Sequence, residues 1–425
     1  MSRLHWCLHV DAEIVAFPPI ESGTAFMPTD HTPDFLPVGR KAGAITFGLI
    51  FAGESFLRAL NVSVIPLQAY ELLGSSQRVS ILATVVSLSV LCTTLFLPLA
   101  FRKIRRRWAY SAGVALIIAA AMLFASYTVA GQVLGQYLRN VGAAVLNITL
   151  SLYIMDHIKK SDLARTEPVR FTLATVPWVL GPALGTWLYS QYGTLVTQLA
   201  VMAAGLMLLA GFWYARLNDP RNFEPGTLEK FRPLENIATF ISQPRLRLAW
   251  TIAFSRSCFW SGMFIYGPLL MVEGGLATTT AGFVIAASQL ALPVSMLYGR
   301  IARSKGVRPV VAFCFAATAI GCLIAGFFGK GNATAAVVFL LAASFCATGL
   351  DGVGGVPFLR AVKTRQRREM ASVYRSFFEC AELIPGFVFS LVLLHFEIGA
   401  VFILLSAQML FMSVLTWKYL PKSMK

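Results

Sequence analysis

Apolar stretches of about 20 residues, each long enough to cross a hydrocarbon core as a single helix, recur along this 425-residue chain with short polar turns between them. Six can be marked in the first half: Ala42 to Ala69, Val79 to Phe101, Trp108 to Tyr127, Ala130 to Ile154, Phe171 to Tyr192 and Leu195 to Ala215. A polar segment follows over 216–247, with Asn218, Asp219, Pro220, Pro225 and Gly226. Six more then run Leu248 to Val272, Ala281 to Tyr298, Val310 to Phe328, Ala335 to Phe358, Val373 to Leu394 and Ile398 to Leu420. The pattern predicts an all-α membrane protein of twelve transmembrane helices in two six-helix bundles, 41–215 and 248–420, joined by a 216–247 linker. Residues 1–40, with Pro18, Pro19, Pro28, Pro33 and Pro37, read as a flexible tail, and 421–425 as a short terminus.

Composition agrees with lipid as the solvent. The chain is 56% hydrophobic and 13% charged, and its mean hydropathy is +0.67, too apolar for a solvated surface. A net charge of +16 raises nucleic acid as a partner. The Lys and Arg residues, however, come in short clusters between apolar stretches with no continuous basic face, so no nucleic-acid partner is expected. Those clusters occupy alternate loops: Arg102 to Arg107, then Lys159, Lys160 and Arg165, then the linker, then Arg300 to Arg308, then Arg360 to Arg368. By the positive-inside bias these loops, and with them both termini, are expected in the cytoplasm. The seven cysteines form no C-x-x-C pair, and neither a metal site nor a cofactor is expected.

The two halves keep register. A shift of 202 positions places Ser55 on Ser257, Pro66 on Pro268, Leu67 on Leu269, Glu71 on Glu273 and Arg106 on Arg308. Same-sense halves of this kind suggest a duplicated protein in which one half rocks against the other.

Four loops and helices carry a family resemblance. The run Leu97-Pro-Leu-Ala-Phe101-Arg102-Lys103-Ile104-Arg105-Arg106 resembles the G-x-x-x-D-R-x-G-R-R loop of the major facilitator superfamily, with Leu97 and Ile104 at its glycine positions and Phe101 at its aspartate. The second half repeats the loop with Gly299, Gly306 and Arg308, and holds Arg303 where the acid would stand. Arg139-Asn-Val-Gly142 is similar to the family's R-x-x-Q-G run without its glutamine. Pro177-Trp-Val-Leu-Gly181-Pro182-Ala-Leu-Gly185 resembles the G-x-x-x-G-P-x-x-G run of the family's antiporters, with Pro177 in place of the first glycine. Small residues there let two helices touch, and Pro182 removes a backbone donor. The resemblance implies the major facilitator fold, alternating access, and a gating role for Arg102, Arg106, Gly181, Pro182, Gly185, Gly299, Gly306 and Arg308.

An ionised side chain near the bilayer centre costs about 2.5–3.5 kcal/mol on insertion scales and normally faces a polar cavity or a partner. Eight lie at such depth: Glu54, Arg58, Arg139, Arg256, Asp351, Arg375, Glu379 and Glu382. Four acids balance four bases, which points to paired networks. Glu54 and Arg58 are four apart, as are Arg375 and Glu379, which are expected to form a structural ion pair. The resemblance implies that Glu54, Arg58, Arg139, Arg256 and Asp351 converge on a central cavity. A carboxylate in apolar surroundings is pushed toward its protonated form while a nearby arginine opposes this, so Glu54, with Asp351 and Glu382 next, is the candidate proton carrier. Arg58, Arg139, Asn147, Arg256, Trp260, Tyr266 and Gln289 are candidate contacts to a small-molecule substrate. No H-E-x-x-H, G-x-S-x-G or phosphate loop is present, which argues against an enzyme. The expectation is a monomeric transporter in a bacterial inner membrane, exporting a small organic solute in exchange for protons. Uptake of an organic anion, and a non-transporting assembly or sensor role, are the alternatives.

Overall fold

The computed structural model describes residues 44–101, 104–157, 160–215, 233–362, 370 and 373–421, and Lys41–Lys425 form one compact unit. The N-terminal tail, Arg102 and most of the linker lie outside the described residues. The rest is helical, with no strand among the described residues. In lipid this is the physical requirement, because a helix satisfies its own backbone groups.

In the first half the elements are α1 (Ala44–Ala59), α2 (Val64–Leu73), α3 (Ser76–Phe101), α4 (Arg106–Ala125), α5 (Val129–His157) and α6 (Lys160–Tyr214). Seven stretches are apolar and long enough to cross a membrane. Two of them, Thr172–Tyr214 and Val307–Ala361, are 43 and 55 residues long, roughly twice what one crossing needs. Each holds two crossings. In α6 the chain turns at Gly193, whose φ of +76° is one that residues with a Cβ rarely adopt. Three further crossings, α5 in this half and two in the next, are more polar or shorter than these. The total is the twelve-helix, two-bundle fold.

After the short linker helix α7 (Pro233–Ser242), the second half runs α8 (Pro244–Glu273), α9 (Thr278–Gln289), α10 (Ser295–Lys305), α11 (Val307–Phe328), α12 (Ala333–Val353), α13 (Val356–Ala361), α14 (Phe377–Val392) and α15 (Gly399–Tyr419). Helix α8 begins four residues before the apolar run does, with Pro244 at its first turn, where a missing N–H costs nothing. The amphipathic α7 buries Phe240 against Leu246, Ala249 and Phe358. The first bundle has its own core of Phe47, Leu57, Tyr110, Leu146, Tyr153 and Phe212, in which the Tyr110 and Phe212 rings stack 4.0 Å apart.

The second core reaches across the bundles. Leu67, Val79, Leu82 and Val86 of the first half are buried with Tyr266, Leu269, Ile285 and Phe389 of the second. These side chains lie toward the end away from the arginine-rich loops, called here the far end. Further contacts close the seam there. Ser80 meets the Tyr266 hydroxyl and donates to the Gly386 carbonyl at 2.9 Å, and Trp178 stacks on Phe264 at 5.9 Å. Gly282 lies so close to α6 that a Cβ on it would stand 2.5 Å from the Pro182 carbonyl oxygen.

Candidate functional site

The first crossing is broken in the middle. Helix α1 stops at Ala59 and α2 resumes at Val64, and Pro66 has no N–H to carry the ladder across. Helix α5 donates to two backbone carbonyls of this crossing, and one of them, at Arg58, is left outside the helical ladder by the break, as backbone at membrane depth requires a donor from the protein. Gln132 donates to the Ile65 carbonyl at 2.9 Å. Arg139 donates through Nη2 to the Arg58 carbonyl at 3.2 Å, and through Nη1 to Asn140 Oδ1 at 3.2 Å. Beside the break, Asn61 and Gln198 exchange two amide hydrogen bonds of 2.9 and 3.1 Å. The Arg139 guanidinium is thus held by neutral acceptors, and its Nε meets none.

Glu54 is 1% exposed and stands inside the first bundle, beside the Tyr110 phenol and Arg58. Glu382 stands elsewhere. It lies half-buried on α14, in the other bundle, within electrostatic range of Arg139 and Arg58. Glu382 and Arg139 stand on opposite bundles within electrostatic range of each other, with no direct ion pair between them among the described residues.

A second ionic group belongs wholly to the second bundle. Arg256 and Trp260, one turn apart on α8, hold the two oxygens of Asp351 on α12: Arg256 Nε is 3.4 Å from Oδ1, and Trp260 Nε1 donates to Oδ2 at 3.0 Å. The guanidinium also lies 5.5 Å above the Phe377 ring. Trp260 stacks on Phe264, which stacks on Trp178 of the first bundle, so a row of three near-parallel rings leads from this pair to the seam. Removing one partner of a largely desolvated pair strands the other. Arg256→Met or Asp351→Asn alone should each lower stability by about 1–3 kcal/mol, with the double variant recovering part of the loss. A thermal-unfolding double-mutant cycle on the detergent-purified protein measures this.

The remaining sequence candidates are spread over the molecule. Tyr266, 1% exposed, belongs to the far-end seal through Ser80 and through an edge contact with Phe389 at 5.1 Å. Gln289 is buried and donates to Ser288, while Asn147 is half-buried on α5, two turns beyond Arg139. Arg375 is exposed and Glu379 half-buried, and no ion pair joins them among the described residues. At the end with the basic loops, Arg106 is half-buried, Arg308 lies 4.8 Å over the Trp417 ring, Gly306 precedes α11 with a φ of +97°, and Gly299 faces open space. Arg102 lies outside the described residues. Gly181 presses on the end of α1 and Gly185 on the break after it, where a Cβ would stand 2.5 Å from Ala59 Cβ and 1.8 Å from the Leu60 oxygen respectively.

Several polar residues of the far end carry contacts that sequence reading did not single out. Glu71 accepts hydrogen bonds from Tyr127, at 2.8 Å, and from Tyr189. Burial, and then this bond to Glu71, push the Tyr127 phenol above its ordinary pKa. Glu273 accepts from Ser76, and Lys330 pairs with Glu397 at 2.8 Å. The signal available in the sequence was the Glu71/Glu273 register alone.

The sequence matches the Major Facilitator Superfamily over residues 47–306, more than half of the chain. Comparison with curated proteins finds no match. Among solved structures, a POT family transporter in complex with 5-aminolevulinic acid superposes with a TM-score of 0.72 at 10% identity, covering 91% of this chain and 98% of its own. The nucleoside transporter NupG gives 0.68 at 12% identity, covering 88% and 100%. A bacterial homologue of the iron transporter ferroportin in the inward-facing state gives 0.66 at 14%, covering 89% and 98%. At these identities the likeness is one of fold. Together with the family match it establishes an integral membrane protein of transporter type, and the chain belongs to the Major Facilitator Superfamily.

Proposed function

We propose that this chain is a secondary active transporter that exports a small organic solute in exchange for protons, by rocking its two bundles about the seam. The observation that carries the reading is the placement of Arg139 and Arg58 on one bundle opposite Glu382 on the other. Ionic groups at membrane depth are kept where they do work, and these stand on the two surfaces that alternating access must bring together and part. A carboxylate keeps its charge more readily beside a guanidinium than away from one, so the approach and separation of the bundles can govern a proton at Glu382. The sequence ranks Glu54 first as proton carrier. We favour Glu382, because Asp351 pairs with Arg256 within one bundle and Glu54 lies inside the other beside the Tyr110 phenol.

The closed far end corresponds to an inward-facing state, with the basic loops and both termini in the cytoplasm of a bacterial inner membrane and a single chain as the working unit. Export draws on the antiporter-like run around Pro182. Uptake of an organic anion is the second reading, favoured by an Arg139 guanidinium that meets only neutral acceptors. Solutes that raise the melting temperature of the purified protein would be loaded into proteoliposomes holding an imposed pH gradient and an internal pH dye. Export predicts that solute and protons move in opposite directions. Movement in the same direction makes the protein a symporter, and solute flux that ignores the pH gradient ends the proton-coupled reading.

A further inference from the structure

Two carboxylates at the far end have no part in that reading. Glu71 lies in the last turn of α2 and Glu273 ends α8, at equivalent places in the two halves. The last turn of a helix exposes carbonyl dipoles, so a negative charge there is unfavourable. The same unfavourable choice at equivalent positions points to compensation from another element.

For Glu273 the compensation comes from across the seam. Ser76 opens α3 of the first bundle and donates its hydroxyl to Glu273 Oε1. The carboxylate therefore stands at the N-terminal end of α3, where unpaired N–H groups favour a negative charge. Lys330, in the same cleft of about 360 Å³, is taken up by Glu397.

The residue 202 positions beyond Ser76 is Thr278, which opens α9 of the second bundle. It lines a cleft of about 440 Å³ beside Glu71. The duplication has thus placed a hydroxyl at the start of each half's second crossing next to the carboxylate that ends the other half's first crossing. The two copies differ in use. Glu71 Oε2 accepts from Tyr127 and Tyr189 of its own bundle, and no hydrogen bond joins it to Thr278 among the described residues.

We propose that Ser76 and Glu273 are gating residues that latch the far end shut, and that Thr278 and Glu71 are the duplicated counterpart, held disengaged by Tyr127 and Tyr189. The proposal rests on the alternating-access reading, in which the seam must open at the far end once per cycle. Breaking the latch shifts the population toward the state open at the far end.

The test is the accessibility of a reporter beneath the latch. Thr84 packs against Gly386 of the other bundle there, and Thr84→Cys in the full chain, in right-side-out vesicles, reports opening through its rate of labelling by a membrane-impermeant maleimide. Labelling of the chain without Thr84→Cys is subtracted. Glu273→Ala and Ser76→Ala should each raise the rate about tenfold, the shift expected on losing a hydrogen bond to a charged group. The double variant should label no faster than either single one, and Ser76→Thr, which keeps the hydroxyl, should label like the parent. Glu71→Ala should stay within about twofold of the parent, as its partners all lie in one bundle. Parental labelling in both Glu273→Ala and Ser76→Ala overturns the latch, and equal acceleration by Glu71→Ala overturns its one-sided engagement. The assay needs no solute. Faster labelling in a protein that moves no solute would sink the transport reading and leave the latch, whereas proton-coupled flux with unchanged labelling would do the reverse.

Discussion

Glu382→Gln is expected to abolish uphill movement of solute while leaving movement down a concentration gradient intact. One proton exchanged per solute turns each unit of imposed pH gradient into about 1.4 kcal/mol, a tenfold concentration ratio at steady state. With glutamine at 382 no proton is carried, so the ratio should fall from about tenfold to one per pH unit. Solute exchange at equal pH on both sides should persist, because the amide keeps the size and an acceptor oxygen of the carboxylate. Glu54→Gln is the discriminating companion. Glu54 lies inside the first bundle beside Tyr110 and Arg58, away from the moving surface, so its amide variant should keep the pH-driven ratio at the cost of some stability. Steady-state solute ratios in proteoliposomes at several imposed pH differences read both variants. If Glu54→Gln collapses the ratio and Glu382→Gln does not, the proton belongs to Glu54.

The architecture was readable from the sequence because one physical rule dominates it. A chain in lipid must satisfy its backbone within each segment, and apolar length counts the crossings directly. The count survived even where hydropathy weakens: α5 is polar because it carries Gln132 and Arg139, donors for the broken first crossing. Pairwise chemistry was less readable. Four-residue spacing put Arg375 with Glu379, which form no ion pair among the described residues, since spacing describes only neighbours on one helix. The contacts that tie the molecule together, Arg256 with Asp351, Ser76 with Glu273, Asn61 with Gln198, join residues 95 or more positions apart, and a single sequence holds no signal for them. Tyr266 shows the same limit. Its polar tip at membrane depth suggested a cavity contact, but its hydroxyl meets Ser80 in the far-end seal.

Gly185→Ala and Gly299→Ala should have effects of opposite size, although both glycines were chosen by motif resemblance. At Gly185 the α6 backbone rests on the break between α1 and α2, and an added methyl carbon would stand 1.8 Å from the Leu60 carbonyl oxygen. That oxygen belongs to buried backbone and cannot swing aside as a side-chain tip can, so the helices must separate. Separation loosens Gly181 from Ala59, and on the adjoining face of α6 it disturbs the approach of Thr186 and Pro182 to Gly282, the place where the two bundles meet. Gly185→Ala should therefore destabilise by about 2–4 kcal/mol, in the upper range for overpacking a tight site. Gly299 lies within α10 with nothing inside 4 Å of where its Cβ would go. Alanine there should be neutral or stabilising by up to about 1 kcal/mol, from its better helix propensity. Melting of the two purified variants, followed by tryptophan fluorescence, decides the matter. A Gly185→Ala protein as stable as the parent would mean that α6 does not rest on the broken first crossing, and the packing that couples that break to the seam would fall with it.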